Sequence, residues 1–594
     1  MDSTTRNISR KPLYFVGHLF FWVFIGLSVW FFRERVIFSD ACYQAWLVQH
    51  TQFFALFHSR FSPAVAQFLP LAGVWAGCNL NTFLVLYSVS VPLIIYGFYL
   101  ILAHGLKKPL YGAGLALAAS VMLTESFYYA TSEINQAIAA LMAAAGILLV
   151  IANKHWWHWL LVGLLVTFAM FLHPLGLVAC VYVAGYFMVC HPNLRLYGIL
   201  ILALSLALHF FRSLVLVSAY DAGRMSFSVL KELPNITSYP LFYELNNWLL
   251  KDYYLLLVGS VILVLWYIKT KKWLPLVWYL GFLLGFLAIV ILTNKDGGEH
   301  IQFYLEHHYQ IFALVLALPL AFDLLPVLFS KQPNLVVAVL AIILTSRLLT
   351  IYGASEKFTA KHLWFDKLYS YTEVFEEEKF IINKNNLEIL MKDNSMYWPT
   401  AYESAFYYKS TGKTKGKTVV IPDDYYELDP YLPANDMLLG VMGNFKNTDL
   451  DKRYVNLSAT AYRKLNSSPE TMPEPNLVAN ASLIAEKTEL RVKRKHKTVR
   501  LPITINSAGG LLQSGLDGPH RTVMYQNIYR ISSDASSLVE ERATPIEVDI
   551  NGSYKQLIEI NIPQEKGSYY IDLDLFTYPD LWWKKSTRVN LEVR

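Results

Sequence analysis

The chain has 594 residues, 54% hydrophobic and 16% charged, a balance too apolar for a soluble protein of this length. Its net charge of +6 is modest and spread out, with no arginine-rich arm or basic stripe, which argues against nucleic acid as a partner. The apolar excess ends near residue 352, after which charges, Asn, Pro and turn residues recur as in a soluble chain.

A helix crosses the hydrocarbon core of a bilayer in about 20 residues. Runs of that kind predict about eleven transmembrane helices, at 13–32, 81–103, 109–130, 134–152, 156–172, 175–190, 196–218, 253–269, 273–293, 309–329 and 333–352. Basic residues precede the first run, as in a signal peptide. The run is long, however, and no small-residue cleavage site is evident, so a retained anchor is expected. Next comes "RERVIFSDACYQAW" (Arg33 to Trp46), with a lone carboxylate, Asp40, followed by Tyr43 and Gln44. Arg60 opens the continuation "RFSPAVAQFLPLAG". Cys42 and Cys78 flank this segment and are either disulfide-bonded, if it is exported, or two free thiols. Cys180 and Cys190 share an apolar run and read as buried thiols, and the four cysteines give no metal spacing.

Short loops set the orientation. Arg6, Arg10 and Lys11, then Lys107 and Lys108, Lys154, Arg195, the "KTKK" at 269–272 and Lys331 fall on one side, which the positive-inside rule makes cytoplasmic. Residues 33–80, 219–252 and everything from about 353 then face the exterior or lumen. Ionisable groups inside spans are costly and mark functional sites. Glu125, Glu133, Gln136, His173, His209, Arg212 and Arg347 all fall towards the outer ends of their runs, as do His300, Glu306, His307, His308 and Tyr309, whereas inner-side cases such as His18 and Asp323 are few. Any one of these can be a snorkelling or structural group. Together they predict one outer-leaflet cavity. A transporter places its polar site near the midplane between repeated halves; no internal repeat is evident here.

Beyond 352, "SEKFTAKHLWFDKLYSYTEVFEEEKFIIN" (Ser355 to Asn383) reads as amphipathic helix and "KTVVIPDD" (Lys417 to Asp424) as a strand ending at a turn. From about 480, runs such as "KTVRLPITI", "KQLIEINIP" and "GSYYIDLDLF" alternate apolar and polar residues between turn residues, which predicts antiparallel strands and a β-sandwich. Trp582 and Trp583 either stack on sugar rings or pack the sandwich or its junction. The expected organisation is a polytopic α-helical membrane domain over 1–352, a mixed α/β region over 353–475 and a β-sandwich-like domain over 476–594. Asn-x-Ser/Thr triplets at Asn456 and Asn480 leave the compartment open.

This arrangement resembles the GT-C superfamily of integral membrane glycosyltransferases, which use polyprenyl-phosphate-linked sugars and include protein O-mannosyltransferases and lipid A aminoarabinose transferases. The likeness rests on Asp40 in the first external loop, its Pro-containing continuation, the junction "ESFYYATSEINQA" (Glu125 to Ala137), the hairpin "FLHPLGL" (Phe171 to Leu177), and "YLEHHYQIFALVLALP" (Tyr304 to Pro319) before a soluble domain. It covers about residues 10–420. Many members carry two adjacent acids in the first loop where this chain has one, and His307 and His308 stand where Arg often precedes the Tyr.

The resemblance implies transfer of a sugar from a polyprenyl-phosphate donor to a glycan, lipid or protein acceptor at the periplasmic or lumenal face of a bilayer. An inverting displacement needs a base on the acceptor side, and Asp40 is the candidate. Arg60, Arg212, Arg224, His307, His308 and Arg347 are candidates for the donor phosphate. Tyr43, Gln44, Glu125, Glu133, Gln136, His173, Glu306 and Tyr309 are candidates for substrate binding. No Asp-x-Asp motif follows the first span, so no metal ligands are assigned; a divalent metal is compatible with the chemistry but has no motif behind it. A bacterial inner membrane is the expected location. The competing readings are a lipid-linked polysaccharide polymerase or ligase, a lipid-linked-sugar flippase that makes no bond, and a non-catalytic scaffold displaying the tail.

Overall fold

The structure is a computed structural model that describes residues 10–151, 156–216, 227–298, 302–373, 375–382, 396–422, 435–465, 481–512, 522–532, 536–546, 550–577, 581–582 and 586–594. Arg6, Lys154, Arg224, His300, Asn480 and Trp583 lie outside these residues. The chain divides into two compact units. The first comprises Met1–His362 with Leu390–Lys415 and Thr448–Asn456; the second comprises Leu363–Ile389, Gly416–Asn447 and Leu457–Arg594.

The first unit is helical. Its elements run α1 (Lys11–Trp30), α2 (Phe32–Val36), α3 (Ser39–Thr51), α4 (Ala64–Trp75), α5 (Leu80–Leu100), α6 (Pro109–Ala118), α7 (Glu133–Ile151), α8 (Trp157–Leu172), α9 (Gly176–Cys190) and α10 (Arg195–Val215). After these come α11 (Pro240–Lys251), α12 (Tyr254–Lys269), α13 (Trp273–Thr293), α14 (Gln302–Pro319), α15 (Leu325–Lys331), α16 (Pro333–Gly353), α17 (Ser355–Thr372) and α18 (Thr400–Ser410). Every run expected to cross a membrane carries a helix, but among the described residues the number long and apolar enough to do so is seven, or eight if α11 and α12, bent by 81° at their junction, count as one span. That is fewer than the eleven expected.

The shortfall has a local cause at 109–130. α6 stops at Ala118, and ten residues at 1.5 Å each span about 15 Å, roughly half the hydrocarbon core. Residues 119–124 are irregular and 125–128 form one 3₁₀ turn. α8 and α9, at 16 and 15 residues, are also short. The centre of the unit is α7, whose side chains from Glu133 to Leu148 are all buried. Its run "AIAALMAAAG" lets neighbouring backbones approach closely, which is how helices pack where lipid supplies no hydrophobic drive. α1 and α10 instead expose one apolar face, with Phe15, Trp22, Phe210 and Leu214 outermost. Such faces fit a lipid environment, and the chain reads as an integral membrane protein.

The second unit holds most of the strands: β1 (Lys379–Ile382), β2 (Thr418–Val420), β3 (Met437–Leu438), β4 (Phe445–Lys446), β5 (Tyr462–Leu465), β6 (Ala481–Ala485), β7 (Glu489–Val492) and β8 (Thr498–Leu512). β9 (Thr522–Ile531), β10 (Ser536–Pro545), β11 (Ile550–Asn561), β12 (Gly567–Thr577), β13 (Leu581–Trp582) and β14 (Thr587–Val593) complete it. β2, β1 and β5 form a small parallel sheet. The later strands make two sheets, β10-β9-β12-β14-β7 with β13 on β12, and β11-β8-β6. Their pairings are antiparallel except β14 with β7, which is parallel. Period-two burial is plain on β12, where Tyr569, Ile571, Leu573 and Leu575 are buried, and on β8, where Leu501, Ile503 and Ile505 are.

Candidate functional site

Asp40 lies in the first turn of α3, immediately after a strained residue. Ser39 has φ 50°, a left-handed conformation that costs a non-glycine residue of order 1 kcal/mol. Its N–H donates to Glu403 Oε1 at 2.6 Å, and Glu403 Oε2 is 2.6 Å from Lys361 Nζ in an almost wholly buried ion pair. Burial raises the Glu403 carboxyl above its ordinary range, with Lys361 and the Ser39 N–H opposing. On the other side of the turn, Arg35 donates to Ser88 Oγ at 2.8 Å and to the Phe127 carbonyl. The Ala130 N–H donates to the Arg35 carbonyl at 3.3 Å, so α2 is tied to the segment bearing Tyr129. Tyr129 in turn donates from Oη to Asp40 Oδ2 at 2.5 Å.

Arg60 follows two more left-handed residues, His58 (φ 53°) and Ser59 (φ 56°), and its Nη1 reaches Glu133 Oε2 at 3.0 Å. Glu133 opens α7, with Arg60, Asp40 and Arg212 as its charged neighbours. His173 sits between α8 and α9, its ring centroid 5.4 Å from His307 and 5.8 Å from His308. The His307 ring is also 5.8 Å from that of Tyr129. Burial first, then Arg60, His307, His308 and Arg212, holds His173 well below the usual imidazole range, so it stays neutral near pH 7. Tyr129 is pushed up by burial and by Asp40, which keeps its proton available to that carboxylate.

The structure therefore brings Asp40, Arg60, Glu133, His173, Arg212, His307 and His308 together where α3, α7, α8, α9, α10 and α14 begin or end. Arg212 also donates to the Met170 carbonyl at 3.2 Å. Gln136, one turn into α7, keeps a buried side-chain oxygen without a hydrogen-bond partner among the described residues, and the same holds for the Tyr309 hydroxyl. Tyr43 packs its ring against Phe57, Trp398 and Tyr402. Gln44 accepts from Gln67 at 3.4 Å.

Three candidates form a different cluster. Arg347 donates to the Ser120 carbonyl at 2.9 Å, the Leu123 carbonyl at 2.9 Å, Thr124 Oγ1 at 2.7 Å and the Asp252 carbonyl at 2.7 Å. Four of its five N–H groups are thus engaged, three on backbone carbonyls and one on the Thr124 hydroxyl, which marks a structural role. Glu306 likewise accepts from the N–H groups of Thr124 and Ser126. Glu125 pairs with Lys357 at 3.0 Å, and burial raises its carboxyl despite that partner. Cys42 and Cys78 are both free thiols.

Sequence reasoning passed over Tyr129, Glu403 and Lys361. Tyr129 stands in the Glu125–Ala137 junction, but nothing distinguishes it there from Tyr128, which donates instead to the Ile351 carbonyl. Chemically, the site offers a carboxylate with a short phenolic hydrogen bond, two guanidinium groups and three imidazoles around a second carboxylate. One ligand atom from each of Glu133, His173 and His307 lies within 4.8 Å of the others. Compared with known proteins, the chain matches no family model, and no curated protein or solved structure matches it.

Proposed function

We propose that the protein is a membrane glycosyltransferase that moves a sugar from a polyprenyl-phosphate donor to an acceptor, with inversion, on the periplasmic or lumenal side. The observation that carries this reading is the convergence of Asp40, hydrogen-bonded by Tyr129, with Arg60, Arg212 and the His173, His307 and His308 imidazoles. Asp40 accepts the proton of the acceptor hydroxyl or amine as that group attacks the anomeric carbon. The carbon–oxygen bond to the lipid phosphate breaks on the opposite face, and the guanidinium groups stabilise the departing anion. Tyr129 holds the carboxylate in position without taking part in bond exchange. The clustering of basic residues in the short loops of the opposite side supports an exterior or lumenal position for this end of the bundle.

Purified protein in liposomes, supplied with a radiolabelled polyprenyl-phosphate sugar and a panel of glycan, lipid and peptide acceptors, tests the reading. Labelled product that disappears in Asp40→Asn, with the variant folded and inserted, supports it. Transbilayer movement of the donor without a new glycosidic bond would establish the flippase reading in its place, and transfer only from oligosaccharide-bearing lipids would establish a polymerase or ligase.

A further inference from the structure

We propose that Glu133, His173 and His307 form a binding site for one transition-metal ion of the zinc type. The three come from separate elements, the start of α7, the α8–α9 junction and α14, and the atoms they offer lie within 4.8 Å of one another. Ligands bound tetrahedrally to zinc at about 2.0–2.2 Å stand roughly 3.4 Å apart, so small rotations of three side chains close the set. The donors are two imidazoles and one carboxylate. That combination suits zinc and other borderline metals better than magnesium or calcium, which take oxygen ligands.

A second observation points the same way. His307 is 5% exposed, and its Nδ1 has no hydrogen-bond partner among the described residues. Buried polar atoms are nearly always paired, and an unpaired nitrogen on the imidazole that joins His173 and Glu133 in this cluster is accounted for by a ligand held among them. Glu133 gives one oxygen to Arg60 and retains the other. A guanidinium on the outer oxygen fixes the carboxylate, as outer-shell partners of metal ligands do. His173 surrenders one weak bond, the 3.2 Å contact in which the Leu175 N–H donates to its Nδ1. That bond goes whichever nitrogen binds, because binding at Nε2 leaves the proton on Nδ1. Arg60 and Arg212 make the surroundings cationic, which the Glu133 and Asp40 carboxylates offset.

Three protein ligands leave a fourth position open, the pattern of catalytic rather than structural zinc sites. An ion there would bind and polarise an anionic oxygen of the donor phosphate. That use rests on the glycosyl-transfer reading; the metal site does not.

The full chain, purified without a polyhistidine tag and stripped with a chelator, is titrated with Zn²⁺ and with Co²⁺ as a spectroscopic probe. The wild type is expected to take up about one ion per chain, with the visible bands of tetrahedral Co²⁺. Glu133→Gln, His173→Gln and His307→Gln are each expected to weaken binding by more than about 100-fold, beyond the 10–100-fold typical of outer-shell changes. His308→Gln should bind as the wild type does. His307→Cys guards against variants that merely misfold: it should retain Co²⁺ and gain a thiolate charge-transfer band. A wild type that takes up no zinc, ligand variants that bind undiminished, or a His307→Cys chain that binds cobalt without the new band would overturn the site. Failure of sugar transfer would leave these results standing.

Discussion

Tyr129 Oη donates a 2.5 Å hydrogen bond to Asp40 Oδ2 across 89 positions of sequence. The two side chains are brought together by Arg35, which binds Ser88 and the Phe127 carbonyl while its own carbonyl accepts from Ala130. Tyr129→Phe keeps the ring and removes only the donor. A hydrogen bond to a charged group contributes about 1.5–3 kcal/mol, so transfer should fall by about 10- to 100-fold in kcat with KM little changed. Initial rates over a range of acceptor concentrations check this. A KM effect alone would mean that Tyr129 contacts the acceptor instead of positioning Asp40.

The backbone before Asp40 carries strain that a substitution can relieve. Ser39 at φ 50° is held by Glu403, and its Oγ lies 3.0 Å from Met396 Sδ. Ser39→Gly removes the steric cost of the left-handed conformation and is expected to leave thermal stability unchanged or raise it by up to about 1 kcal/mol. Ser39→Val places a β-branched side chain there and should destabilise by more than that, lowering transfer through the displaced carboxylate. Melting temperatures in detergent, with the rate of each variant, read both effects. Equal stability of the two variants would show that this turn relaxes freely.

Why some of this was legible and some was not follows from the kind of interaction involved. Apolar runs reveal helices because a helix satisfies its own backbone in lipid. The run at 109–130 misled because hydropathy cannot register that Arg347 and Glu306, far along the chain, pair with the carbonyl and N–H groups of residues 120–126. Those two residues drew attention as buried charges, and their partners are backbone groups together with the Thr124 hydroxyl. Strands beyond residue 480 were readable from period-two alternation, as on β12, but alternation is blind to the parallel pairing of β14 with β7. The Lys361–Glu403 pair, whose carboxylate also caps Ser39 from 364 positions away, leaves no local signature.

The two classes of arginine should therefore separate in experiment. Arg60→Lys keeps a charge near Glu133 but loses the fork, so it should lower transfer by about tenfold or more while the melting temperature moves little. Arg347→Met strands several buried acceptors, each costing about 1–3 kcal/mol, and should collapse thermal stability. Measuring melting temperature and transfer for both variants in parallel settles the assignment. A stable but inactive Arg347→Met would return that residue to the donor phosphate.

In the second unit, Lys379 supplies a pH signature unconnected with the site. It stands on β1, the central strand of the small parallel sheet, with Nζ donating to the Asn435 carbonyl at 2.6 Å and the Met437 carbonyl at 2.9 Å. Burial pushes its pKa down from 10.5 to about 8, against the opposing pull of Asp436 and Glu378. Between those two values the unfolded chain carries a proton at Lys379 that the folded chain has released. Stability therefore rises with pH across that interval, and the penalty for a buried charge is fully present below about pH 8. The difference between wild type and Lys379→Met isolates this group from the other lysines and tyrosines that titrate nearby. The wild-type melting temperature is expected to climb relative to the variant from pH 8 to 10.5. A constant difference across the interval would mean that Nζ keeps its charge, held by the two carbonyls.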